Sequence, residues 1–149
     1  SQNYGAKKFD RIKKGVIQTV IVGIVYGIIA GLLLIVFGRT ASLLFISSKY
    51  SAVLDASAKY LCYMGYFYWV LSMLNVCRQT TQGIGYSGLA IFSGVVEMIA
   101  RCFVSLVFVP IAGFTAICCA DQTAWIVAAI YCVFTFSYCF TLNLRKMLL

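Results

Sequence analysis

Histidine is absent from this 149-residue chain, proline occurs once, and only four residues are Asp or Glu. Without histidine, and without a Cys-x-x-Cys pair, the seven cysteines (Cys62, Cys77, Cys102, Cys118, Cys119, Cys132 and Cys139) have nothing with which to complete a zinc set. They lie mostly inside apolar runs and read as small packing residues, so neither a metal site nor a disulfide framework is expected. Paired carboxylates for acid–base work are also missing, which disfavours enzymatic activity; no cofactor is expected. Charge of any sign is scarce. Charged residues make up 11% of the chain and hydrophobic residues 62%, where a soluble domain carries about 25% and about 45–50%. The composition is that of an integral membrane protein. There is no initiator Met, and no charged segment followed by a short apolar run and a cleavage site. The sequence therefore reads as a piece of a longer one with no signal peptide.

The net charge of +8, from 12 basic and 4 acidic residues, superficially suggests nucleic acid. The placement of the charges argues against that partner. Five of the twelve basic residues sit between Lys7 and Lys14, and most of the others flank apolar runs, which is how basic residues orient a protein in a bilayer. The lipid bilayer is the expected partner, and nucleic acid is not.

Residues 1–15 are polar and basic, with Gly5 marking a turn and Asp10, Arg11, Lys13 and Lys14 spaced to suit a short amphipathic lead-in helix. Val16 to Phe37 follows without a charge, and as a helix its 22 residues reach about 33 Å, enough to cross a hydrocarbon core of ~30 Å. Gly23, Gly27 and Gly31 recur every fourth residue there and give one face on which another helix backbone can approach closely. Gly38 to Ala58 reads as an outer connection with an interfacial apolar patch at Leu43 to Ile46. Tyr60 to Val76 is a shorter uncharged stretch between Lys59 and Arg78, Gln79 to Ser87 a polar turn, and Gly88 to Val109 a further span stopped by Pro110. After a tight connection at Ile111 to Phe114, Thr115 to Leu142 completes the set, with Ala124 and Ala128 again repeating a small residue at four. The fold class expected is an all-α membrane protein: a basic loop over 1–15, then four transmembrane helices over 16–149, at about 16–37, 60–76, 88–109 and 115–142.

Alternation places Lys7, Lys8, Arg11, Lys13, Lys14, Arg78, Arg145 and Lys146 on one side, and Arg39, Lys49 and Lys59 on the other. Eight against three puts both ends of the segment in the cytoplasm under the positive-inside rule.

Charges and polar groups gather between Arg78 and Pro110. Glu97 and Arg101 fall near the middle of an apolar helix, where an uncompensated charge costs roughly 2.5–3.5 kcal/mol, so both must face protein or a watery cavity. Two readings stand. Either the pair is structural, Glu before Arg at four residues being the favourable order, or Glu97 is a protonatable carboxylate whose titration is tied to transport. Asn75, Gln79, Gln82 and Tyr86 are candidates for contacting a substrate at the inner mouth, or else satisfy backbone groups in the turn. Tyr60, Tyr63 and Phe67 share a helical face; Tyr63 and Phe67 are candidates for stacking on flat or cationic organic molecules, against the alternative of an interfacial aromatic belt. Gly83-x-Gly85 has no strand before it and is not a nucleotide motif.

Gln2-Asn3-Tyr4-Gly5-Ala6 followed by Arg11-Ile12-Lys13-Lys14 resembles the cytoplasmic loop of the multidrug and toxic compound extrusion (MATE) family. Gln79-Thr80-Thr81-Gln82-Gly83-Ile84-Gly85-Tyr86-Ser87, Glu97-Met98-Ile99-Ala100-Arg101, and Pro110 with Gly113-Phe114 resemble the final helices of the same family. The resemblance implies four helices of the second six-helix lobe in a twelve-helix secondary transporter of the inner (plasma) membrane. It implies export of small organic, often cationic compounds in antiport with Na⁺ or H⁺, with the missing N-terminal lobe as partner. Some sodium-coupled relatives carry an acidic residue one turn after a tyrosine; the aligned positions here are Leu71 and Phe67, neither of which ligates a cation. An ion site would then use the missing lobe, or Glu97, or both. The alternatives are a lipid-linked or polysaccharide flippase of similar architecture, which would show a more cationic cavity, and a membrane interaction module without transport activity.

Overall fold

A computed structural model of the chain describes residues 2–148, with side chains described for 2–143. Arg145 and Lys146, counted above on the inner side, lie outside the described side chains. The described residues form five helices: α1 (Gln2–Gly5), α2 (Phe9–Ser42), α3 (Ser51–Gly83), α4 (Ser87–Ala112) and α5 (Phe114–Leu148). Of these, α2, α4 and α5 are long and apolar enough to cross a membrane. The 33 residues of α3 would reach about 50 Å, but Asp55, Lys59, Asn75 and Arg78 interrupt its apolar character.

The helices run longer than their apolar stretches because little in the sequence stops them. No break separates a lead-in helix at the start of α2, since extending an existing helix avoids the unfavourable step of nucleating a second one. The chain instead turns before it, at Lys7, whose φ is 55°. The outer connection is confined to 43–50, so Arg39 and Asp55 are both helical and pair across it at 3.0 Å. In that connection Leu44 and Phe45 are 82% and 90% exposed, as an interfacial patch requires.

The polar turn also contracts, to Ile84–Tyr86, with Gly85 at φ 96°. Thr80 and Thr81 continue the helix by donating their hydroxyls back to the Val76 and Cys77 carbonyls at 2.7 and 2.9 Å. Pro110 does not stop α4, which continues to Ala112. Proline near a helix end forfeits only one hydrogen bond, and the stop is made by Gly113 at φ 56°, whose N–H donates to the Val109 carbonyl at 2.9 Å.

The centre of the bundle is α3, against which α2, α4 and α5 all pack. Of the stretch Arg78 to Pro110, where the sequence concentrates its polar features, residues 78–83 end the central helix α3 and 87–110 form most of α4 on its flank. On the α2 side, Gly27, Gly31 and Gly38 meet α3 backbone and side chains: a Cβ at Gly27 would lie 2.7 Å from Trp69 Cα, and one at Gly31 would fall on the Gly65 carbonyl oxygen. Gly23 is looser, with Val76 at 3.6 Å. The glycine face is therefore a helix interface, as the spacing predicts, and its partner lies within this chain. On the other side Val70, Leu74 and Cys77 of α3 pack with Trp125, Ala128, Ala129 and Cys132 of α5. Ala124 and Ala128 are fully buried, and Tyr68 meets Trp125 edge-on at 6.4 Å. The outward faces are bare Ile, Val, Leu and Phe, such as Val22, Val36, Ile91 and Leu106, as lipid contact demands.

Candidate functional site

Ser93, Glu97 and Arg101 recur at four residues on α4 and so form one stripe along its face. Packing lays that stripe against α3 and α5, and charged residues of both reach it. From α3, Arg78 donates through Nε to Ser93 Oγ at 2.7 Å and through its terminal nitrogen to Glu97 Oε2 at 2.7 Å. Arg101 takes the other oxygen, Oε1, at 2.9 Å. From α5, Asp121 pairs with Arg101 Nε at 2.8 Å and accepts the Tyr60 hydroxyl at 2.5 Å, returning the sequence of contacts to α3.

The result is an alternating seam, Arg78–Glu97–Arg101–Asp121, with two cations, two anions and no net charge. Tyr60 and Arg78 are 18 residues apart on α3, so the seam runs alongside roughly 27 Å of helix axis, nearly the hydrocarbon thickness. Glu97, bridged by two guanidiniums, is the most buried of the four, with 14% of its side chain exposed against 44% for Arg101. Beside Asp121, Gln122 is 3% exposed, and neither atom of its carboxamide has a hydrogen-bond partner among the described residues.

The spacing of Glu97 and Arg101 predicts their pair, and the structure brings them together. Arg78 reads in sequence as the end of a span, and neither it nor Asp121 is predicted to join them. The available signal was charge arithmetic: two carboxylates and two guanidiniums attached to apolar stretches need one another, since none can be left in lipid.

The candidate substrate contacts do not form one site. Asn75 and Gln79 line a cavity of about 470 Å³ where α1, the start of α2 and the end of α3 meet, together with Asn3 and Arg11. Phe67 lies elsewhere, in a groove of about 460 Å³ between α3 and α5 lined only by apolar side chains, among them Trp69, Met73 and Phe134. Tyr63 is half-buried outside that groove, Gln82 is exposed, and Tyr60 belongs to the charged seam. Tyr86 forms part of a clasp: its hydroxyl and that of Tyr4 donate to Asn143 Oδ1 at 3.4 and 3.1 Å. Phe9 packs edge-on against both Tyr4 and Phe140, so the clasp fastens α1 over the same end of α5. At the opposite end Lys59 donates to the Thr115 hydroxyl at 3.0 Å and caps the Phe114 ring, bridging α3 to the start of α5.

Long apolar helices with bare outer faces, holding a balanced set of charges inward, define a multi-pass α-helical membrane protein. A family model, MatE, matches residues 1–107, which takes in α1 to α3 and α4 as far as Val107. The chain belongs to the MatE family, a family of transporters of the MATE and flippase type. The matched stretch includes Arg78, Glu97 and Arg101 and ends before Asp121. No curated protein and no solved structure matches the chain.

Proposed function

We propose that this protein is part of a secondary active exporter of organic, often cationic compounds, working in antiport with Na⁺ or H⁺ in the plasma membrane. In this reading the chain contributes four spans to the second lobe of a twelve-helix transporter, and the other lobe completes the substrate path. Three of the spans are α2, α4 and α5. The fourth is α3, whose central packing between them supports a crossing despite its polar residues. The observation that carries the cargo assignment is the neutral seam. Among the described residues both arginines of the seam, Arg78 and Arg101, are matched by carboxylates, leaving no bare cation within it to receive a phosphate-linked lipid. Glu97, held by two guanidiniums, takes the structural role, and the coupling ion is bound elsewhere in the complete protein.

The test is transport by the complete protein that contains this chain, reconstituted into liposomes under a Na⁺ or a pH gradient. Ethidium movement driven by one of the gradients is expected. Movement of a labelled phospholipid without ethidium export would replace this reading with the flippase. Orientation is checked in a cysteine-depleted background. An impermeant reagent added to intact cells is expected to label Ser48→Cys and not Ser87→Cys, and the reverse pattern would invert the topology.

A further inference from the structure

The cavity between α1, α2 and α3 has a chemistry that the transport reading leaves unused. Its only charged lining residue is Arg11, which has no carboxylate partner among the described residues. Three carboxamides, those of Asn3, Asn75 and Gln79, also line it, and none makes a side-chain hydrogen bond among the described residues. The hydroxyls at the same place are already committed: Thr80 donates to the Val76 carbonyl and Tyr4 to Asn143. What remains open to a ligand is therefore a guanidinium and three carboxamides, each with an NH₂ donor and an oxygen acceptor, a set whose only charge is positive. Organic cations are the wrong cargo for it, and an anion with several acceptor oxygens is the right one.

Depth identifies which anion. Arg11 precedes Val16, where the long uncharged stretch of α2 begins, by five positions, about 7.5 Å along the helix. Thr80 follows Val76, where the uncharged stretch from Tyr60 ends, by four, about 6 Å. Headgroup layers occupy roughly 5–8 Å on each side of the hydrocarbon core, so both walls of the cavity lie at headgroup level. Its membrane-ward lining is apolar, Val16 and Val76, where the glycerol and first methylenes of a lipid would sit. Its volume of about 470 Å³ is in the ~300–1,000 Å³ range of small-molecule sites, far more than a bare phosphate fills. The surrounding segment, residues 1–15, carries five basic residues and one acid, which attracts the anionic lipids of a cytoplasmic leaflet.

We propose that this cavity is a binding site for the phosphate headgroup of an anionic phospholipid of the inner leaflet, held by Arg11 with Asn75 and Gln79. It is independent of the transported compound, because its charge is opposite to what a cationic cargo needs. The clasp of Tyr4 and Tyr86 on Asn143 keeps α1 in place as one wall, so the site is formed before lipid arrives.

The test places the complete protein that contains this chain in nanodiscs of phosphatidylcholine with or without a minority of phosphatidylglycerol. Lipid retained through detergent extraction is read by native mass spectrometry, and the thermal midpoint is followed in parallel. Preferential retention of phosphatidylglycerol and a raised midpoint are expected. Arg11→Gln is expected to weaken retention about fivefold, the effect of roughly one basic residue at an anionic surface, and Arg11→Lys to recover part of it. Gln79→Met, from the opposite wall, is expected to weaken it as well, while Lys14→Gln, which removes an equal charge outside the cavity, leaves it unchanged. All variants are expected to match the unaltered chain in phosphatidylcholine alone, which separates loss of the site from loss of the fold. Equal effects of Lys14→Gln and Arg11→Gln would show diffuse attraction and no site. Full stabilisation by glycerol phosphate or inorganic phosphate in phosphatidylcholine discs would make the ligand a soluble anion, and indifference to phosphatidylglycerol would overturn the proposal outright.

Discussion

The two flanks of α3 are held by opposite means. Toward α2 the contact is mainly close approach, made possible by Gly27, Gly31, Gly38 and Gly65, with a Ser42–Ser57 hydroxyl bond at 2.8 Å and, among the described residues, one ion pair, Arg39–Asp55, at the exposed outer rim. Toward α4 and α5 the helices are joined by side chains, with four charges threaded between them. In lipid, apolar surface alone does not drive helices together, because the tails are as apolar as leucine. Close approach and polar linkage are the two remaining resources, and this chain relies mainly on the first toward α2 and on the second toward α4 and α5. At Gly27, Gly31 and Gly65 the glycine flank tolerates no added volume, and the charged flank tolerates no unbalanced sign.

The largest expected effect is on the glycine flank. Gly31→Leu directs a side chain onto the Gly65 carbonyl, so α2 must move away, at a cost of about 1–3 kcal/mol or more. Loss of folded protein in detergent is expected, by thermal unfolding or yield. Gly23→Ala is its control: its Cβ meets Val76 and Ser72 at 3.6 and 3.7 Å, ordinary contact. With ~1 kcal/mol of helix propensity gained over glycine, it is expected to be neutral or mildly stabilising. Similar destabilisation by both would mean the flank is not sensitive to volume.

On the charged flank, Glu97→Gln leaves two guanidiniums without their shared carboxylate, and a loss of about 2–3 kcal/mol is expected. Adding Arg101→Met is expected to recover part of it, with a coupling of order 1–3 kcal/mol. Recovery stays incomplete, because Arg78 is still unmatched and Asp121 loses its partner. Strict additivity in that cycle, measured by thermal stability of the complete transporter, would dissolve the seam as a unit. If both variants accumulate normally while export is abolished in each, Glu97 carries the coupled ion and the structural assignment fails.

The smallest effect belongs to Arg39→Ala. Its pair with Asp55 leaves both side chains 65% exposed, so a change of about 0–0.5 kcal/mol, shrinking further in salt, is expected from a denaturation curve. A larger value would show that charge matters on the glycine flank too.

The same division governs what could be read in advance. Features confined to one helix were legible: the uncharged span of α2, the long apolar spans of α4 and α5, the every-fourth glycines, and Glu97 with Arg101 one turn on. Gly38 was also within reach, being seven residues, or two turns, beyond Gly31. Gly65 was not, because a single glycine in an aromatic stretch has no periodicity to mark its partner. Arg78 and Asp121 reach the seam only once α3, α4 and α5 are packed, a tertiary fact that spacing along one helix does not contain. Helix ends were misplaced where polar residues look like a turn but satisfy the helix themselves, as Thr80 and Thr81 do.

The alternation of sign along the seam also acts as a ratchet stop. A transporter lobe in which one helix slips past another by a turn, about 5.4 Å, has a cheap way to change shape. Here the stripe on α4 forbids it in either direction. Slid toward the α3–α4 turn, Arg101 arrives where Glu97 stood and confronts Arg78, cation against cation. Slid the other way, Glu97 takes the place of Arg101 and confronts Asp121, anion against anion, while Arg78 is left with Ser93. A one-turn slip of α4 against α3 and α5 is therefore opposed by charge in both directions, whereas a motion that carries the three helices together leaves the seam intact.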